Sequence, residues 1–212
     1  MPTSPESLRA LEIIRAFATE QGVDVEEGTR PGEVVLTLPG ENKLRTSCSL
    51  IAGGRALSLS AFVIRRPDEN HVAVYRFLLQ RNLALPGLAY AIDDSGDVYV
   101  TGQVPIGVVD EEYLDQLLGV VLAATDEVFN ELLVLGFISS MRKEWSWRVS
   151  REESLANLEP FREILAKDEE ERARVSAHEP GVGEDEVDDE AGPTSPSPEA
   201  ARPDGPPERT EN

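Results

Sequence analysis

Three acids within five residues, Asp93-Asp94-Ser95-Gly96-Asp97, are the carboxylate cluster that a calcium ion would look for in the part of this sequence able to fold. A helix-loop-helix calcium site places ligands at alternating positions over about twelve residues and closes with a bidentate Glu. No such Glu follows here at the right distance, and Asp and Gly are the residues that a hairpin turn selects. The lone thiol, Cys48, lies in Thr46-Ser47-Cys48-Ser49-Leu50 with Arg45 as its nearest cation. A reactive thiolate needs a closer positive charge or a helix N-terminus, so a structural cysteine is expected. His71 falls near the start of a predicted helix and His178 far downstream, so neither a Ser-His-Asp nor a Cys-His pair can be assembled. The HExxH pattern and a glycine-rich phosphate loop are also missing from the sequence. No catalytic, cofactor-binding or metal-ligating residue is nominated, no cofactor is expected, and enzymatic activity is not.

Binding offers more than catalysis. In Arg142-Lys143-Glu144-Trp145-Ser146-Trp147-Arg148 two indoles alternate with polar residues. Read as an extended segment, this alternation puts Trp145 and Trp147 on one side. They either cover the core or anchor an interface, since Trp and Arg are enriched at binding hot spots. Trp145, Trp147 and Arg148 are therefore the candidate partner-binding residues, and exposure decides between the two roles. Thr194-Ser195-Pro196-Ser197-Pro198 offers Ser-Pro phosphorylation sites, or simply solubilising low complexity.

The elements that must position these residues follow from periodicity. Ser4-Pro5 opens a helix whose face carries Leu8, Leu11, Ile14, Phe17 and Ala18 and which Gly22 ends. Strand character follows at 23–26, 33–38, 44–52 and 56–64, separated by turn signals at Pro39-Gly40 and Gly53-Gly54. A second helix begins near Asp68 or Asn70, with Val72, Tyr75, Leu78 and Leu79 as its stripe. The segments 88–92 and 98–104 flank the acidic turn as a hairpin, and a long helix with acids at its positive end runs from 111 to 136. This order predicts an α+β domain, an antiparallel sheet with helices packed on one face. Residues 1–150 form that domain and 151–175 a helical extension.

From Ser176 onward seven prolines and six acids among the residues from Glu184 to Glu190 leave Val182 and Val187 as the large aliphatic residues. Such a segment cannot bury enough apolar surface to offset its ordering entropy, so 176–212 is predicted to be a disordered acidic tail. The whole chain has 40 acidic and 20 basic residues, a formal charge of −20. That balance argues against a nucleic-acid phosphate footprint and against docking on an anionic membrane. No apolar run approaches a membrane span, the N-terminus lacks the pattern of a signal peptide, and one cysteine cannot form an internal disulfide. A cytoplasmic location is expected. Seventeen of the 20 basic residues are Arg, which fits a GC-rich bacterial genome.

The segments RFLLQRN (Arg76 to Asn82), LAYAIDDSGDVYVTGQVP (Leu88 to Pro105), LDQLLG (Leu114 to Gly119), FNELLVLGF (Phe129 to Phe137) and KEWSWR (Lys143 to Arg148) together resemble the bacterial YbjN family, in its actinobacterial form. Members are labelled sensory transduction regulators. The resemblance implies a fold similar to type III secretion chaperones, a homodimer, and no catalytic residues to carry over. The resulting expectation is a non-catalytic interaction or regulatory module, a dimer that binds a partner polypeptide in a chaperone-like manner. The rival is a small-ligand binder or enzyme with a pocket between the sheet and the long helix 111–136, where Arg76, Arg81, Asn130 or Glu144 would converge.

Overall fold

The computed structural model describes residues 4–167, and the acidic tail lies outside them. Helix α1 (Pro5–Gln21) starts where the Ser4 hydroxyl accepts the Ser7 N–H and stops at Gly22, whose φ of 66° is a left-handed cap that glycine adopts at least cost. Its inward face is Ser7, Ala10, Leu11, Ile14, Phe17 and Ala18. Leu8, expected there, is half exposed, and Ser7 takes the place at the start of the stripe by donating to the Gly53 carbonyl at 2.6 Å.

Four strands follow, β1 (Asp24–Glu27), β2 (Glu33–Pro39), β3 (Arg45–Ala52) and β4 (Ala56–Ile64); after α2 (His71–Arg81) come β5 (Leu88–Ile92) and β6 (Val98–Pro105). They form one antiparallel sheet in the order β1-β2-β3-β4-β6-β5. Register explains which face is apolar. Leu36 opposes Cys48, Leu50 opposes Leu59, and Ala61 opposes Val100; all six are buried beneath the helices. The pairs Val35–Ser49, Ser49–Ser60 and Ser60–Thr101 carry the other, mostly hydroxylated face. Alternating Ser and Thr thus let a single layer of helices suffice. The ladder slips between Phe62 and Ile64, and past this irregularity both Val63 and Ile64 are buried.

The predicted long helix departs from expectation twice. Helix α3 (Glu111–Leu122), capped by the Asp110 carboxylate, passes into a π-helical turn (Ala123–Glu127), and α4 (Phe129–Ser150) then continues fourteen residues beyond Gly136. Gly136 is not a helix end. Its missing side chain lets Pro67 approach to 3.0 Å of where a Cβ would sit, and its carbonyl accepts the N–H of Asp68 and Glu69. The Trp-containing segment is helical, because an alternation of four residues is too short to distinguish a strand from a helix that lacks breakers. After α4 a 3-10 stretch (Ala156–Phe161) and a helical piece over 162–167 return Leu158, Phe161 and Leu165 to the core.

Candidate partner interface

Helix α2 is apolar on two sides. Val74 and Leu78, four residues apart, are buried against the domain. Val72 and Leu79 are 75% and 66% exposed and, with half-buried Tyr75 between them, form a second stripe, which Leu83, 92% exposed in the 3-10 turn Asn82–Ala84 that follows α2, extends. This corrects the sequence reading, which put Val72 and Leu79 in the core. A helix needs one apolar stripe to dock, and the second stripe is left open among the described residues. Beside it runs β5, an edge strand with the sequence Leu-Ala-Tyr-Ala-Ile. The opposite edge, β1, is guarded by Asp24, Glu26 and Glu27, while β5 carries no charge. Between helix and edge lies a groove of about 300 Å³ lined by Tyr75, Leu78, Leu79, Tyr90, Ala91 and Ile92.

Several bonds hold this surface in place. The Asn82 carboxamide accepts the Tyr90 N–H at 2.7 Å and donates to the Tyr90 carbonyl at 3.5 Å, so one side chain fills the hydrogen-bonding position of a missing neighbour strand. Strand addition is thereby obstructed at the middle of β5, and the side chains of the groove are left as the accessible feature. The Tyr90 hydroxyl donates to the Ala124 carbonyl at 2.7 Å, and burial pushes this phenol up to about 12. At the far end of α2, Arg65 grips Asp68 with two bonds of 2.6 and 2.8 Å, Ser140 adds a third, and these hold the Asp68 carboxyl at about 2. Glu69 accepts the Ser139 N–H and hydroxyl, which fixes the β4–α2 connection to α4.

The π-helical turn is a further organising element that the sequence did not announce. Its three central residues reach three strands or loops: the Ala124 carbonyl to β5, the Thr125 hydroxyl to Thr46 of β3, and the Asp126 carboxylate to the β2–β3 loop. Asp126 accepts the backbone N–H groups of Glu41, Asn42 and Lys43 at 2.8 to 3.2 Å. Burial raises its proton affinity, but these three donors outweigh it and keep the group below the usual carboxylate range. Gly40 is required beside it, since a Cβ there would sit 2.2 Å from the Asp126 oxygen.

The structure separates the sequence candidates. On α4, Trp145 and Trp147 are about 200° apart around the axis, so Trp145 is buried, at 6% exposure, and Trp147 is 47% exposed with the Arg151 guanidinium stacked 4.8 Å away. Arg148 bonds Glu144 and the Ser154 carbonyl. The acidic hairpin turn spends two of its three carboxylates on backbone groups, with Asp94 exposed: Asp93 accepts the N–H of Ser95 and Asp97, and Asp97 accepts that of Arg66. Cys48 is fully buried, and burial pushes its thiol to about 12. Of the four residues expected to line a central pocket, Arg81 pairs with Glu131, Arg76 is exposed, and Asn130, which bonds Asn42, and Glu144 border two different grooves of α4. The Ser-Pro sites lie outside the described residues. Among the described residues, no group of three His, Cys, Asp or Glu side chains could hold a metal ion, and no helix is long and apolar enough to cross a membrane.

The model of the YbjN family, described as "Putative bacterial sensory transduction regulator", matches residues 10–134. Uncharacterized proteins of Mycobacterium tuberculosis and Mycobacterium bovis are 48% identical over 134 residues, 63% of this chain and 73% of theirs. One from Mycobacterium leprae is 48% identical over 132 residues, 62% of this chain and 72% of its own. Solved structures with a similar course of chain include the HopA1-SchA chaperone-effector complex (13% identity, TM-score 0.46, 61% of this chain and 99% of that one) and the ExsC-ExsE complex (17%, 0.44, 62% and 97%).

Proposed function

Because this chain belongs to the YbjN family, we propose that it is a non-catalytic regulatory module that works by holding a protein partner, and that it does so as a symmetric homodimer formed through α2 and β5. The observation that carries this reading is the second apolar stripe of α2, exposed at Val72 and Leu79 and extended by Leu83 of the turn after it, beside an uncharged edge strand. Water penalises such a stripe, and two copies related by a two-fold axis bury it mutually, since each presents the same patch to the other. A stable interface of this kind takes at least about 1,000 Å² with apolar side chains at its centre. The paired subunits would then offer a partner polypeptide the grooves flanking the interface and the hydroxylated sheet face. Trp147, half exposed near the end of α4, is a further contact for that partner, with Arg148 beside it and Trp145 supporting it from the core. A reducing cytosol suits the lone thiol of Cys48.

Light scattering after size exclusion tests the dimer. The full chain should show twice its mass of 23.2 kDa, and Leu79→Glu combined with Leu83→Glu should return the monomer with an unchanged circular dichroism spectrum. A wild-type mass that stays at the monomer value across micromolar dilution overturns the dimer.

A further inference from the structure

A second groove lies away from α2. Where β4 slips its register at Phe62, α4 crosses the end of the strand and presents Phe129, Leu133, Phe137 and Met141, residues at helical spacing that all face one side. Phe62 and Phe161 supply the facing walls, and the space enclosed is about 490 Å³, within the range of small-molecule sites. At its β4 end stands the ammonium of Lys43, which donates to the Phe62 carbonyl and lies 4.8 Å from the centre of the Phe62 ring and 6.0 Å from that of Phe129.

The charges around this groove are matched with one exception. Arg65 is neutralised by Asp68, and Glu144 by Arg148. Lys43 joins none of the ion pairs found among the described residues, because the nearby Asp126 carboxylate is turned toward backbone N–H groups instead. A half-buried cation facing aromatic rings and one carbonyl is an incomplete arrangement: burial costs it hydration, and the charge of Asp126, which forms no ion pair with it, offsets that loss only in part. An apolar body with one anionic end would complete it.

We infer that this groove binds a small amphipathic carboxylate, its head on the Lys43 ammonium and its apolar body along Phe62, Phe129, Leu133 and Phe137. Burial lowers the proton affinity of Lys43 to about 8 against the opposing pull of the Asp126 carboxylate, which leaves the ammonium mostly charged at neutral pH.

Isothermal titration calorimetry of the full chain with decanoate, kept below its micelle concentration, tests the site. The expected result is saturable binding of one molecule per chain. Lys43→Met should weaken it by about tenfold or more while Lys43→Arg retains it, the step expected for one desolvated charge contact. Leu133→Trp, which fills the groove and leaves Lys43 in place, should abolish binding, and 1-decanol should bind far more weakly than decanoate. Absence of binding at millimolar decanoate, equal binding of decanol, or undiminished binding by Lys43→Met overturns the proposal. Circular dichroism of each variant ensures that a loss reports the site and not unfolding.

Discussion

At the scale of single residues, two charged side chains show how burial and hydrogen bonding set opposite signs of stability. Asp126 is a buried carboxylate that gains three backbone donors, and hydrogen bonds to a charged group contribute about 1.5–3 kcal/mol. Asp126→Ala should therefore destabilise the domain by roughly 2 kcal/mol or more in urea unfolding, and a cost below about 0.5 kcal/mol would show that water replaces the carboxylate freely. Lys43 behaves in the reverse sense. Its proton affinity falls from 10.5 to about 8 on folding, so between those values the unfolded chain binds more protons than the folded one. Stability then rises with pH across that interval, and the penalty of the buried charge is fully present at and below neutrality. Lys43→Met should raise the urea midpoint at pH 7, and its advantage should shrink toward pH 10. A variant that is less stable at pH 7 would show that the ring contacts outweigh the lost hydration. Neither residue was legible beforehand, since Asp126 meets its partners across 83 to 85 positions of sequence and nothing local marks either group.

At the scale of elements, periodicity located nearly every helix and strand but assigned faces less well. The strands were legible because turn residues bracket them and their covered face alternates strictly, as Leu57, Leu59 and Ala61 do. Helix α2 was misread because apolar residues occupy both of its sides: Val72-Tyr75-Leu79 and Val74-Leu78 are equally good stripes by spacing, and only tertiary contacts choose between them. The same ambiguity hid the candidate interface, although an α-helix with two apolar stripes was itself the available signal. Gly136 was taken for a stop because glycine often ends helices, yet here it serves the close approach of Pro67. Gly136→Leu should cost on the order of 1–3 kcal/mol through overpacking, despite the better helix propensity of leucine. Ser146→Pro discriminates the helical from the extended reading of the Trp segment directly: in the interior of α4 it should cost about 3 kcal/mol in urea unfolding, whereas an extended edge strand would tolerate it.

At the scale of the whole molecule, charge and apolar surface oppose each other. The chain carries −20, and residues 176–212 hold eleven of its acids against two arginines, so a dimer brings together two strongly like-charged bodies through a patch that is itself uncharged. Association driven by apolar burial against like-charge repulsion has a distinctive salt response. Screening lengths shrink from tens of ångströms at about 0.01 M salt to about 3 Å at 1 M, so added salt removes the repulsion and leaves the apolar attraction intact. Sedimentation equilibrium should therefore show a tighter dimer at about 0.5 M than at about 0.02 M sodium chloride. An interface held by ion pairs would respond in the opposite direction. Truncation after Val175 should flatten this salt dependence, because it removes nearly half of the net charge without touching α2 or β5, and it should leave the melting temperature within a few degrees of the full chain. A truncated chain with the same salt slope would locate the repulsion in the folded domain, at acids such as Glu111 and Glu112, and not in the tail that composition sets apart.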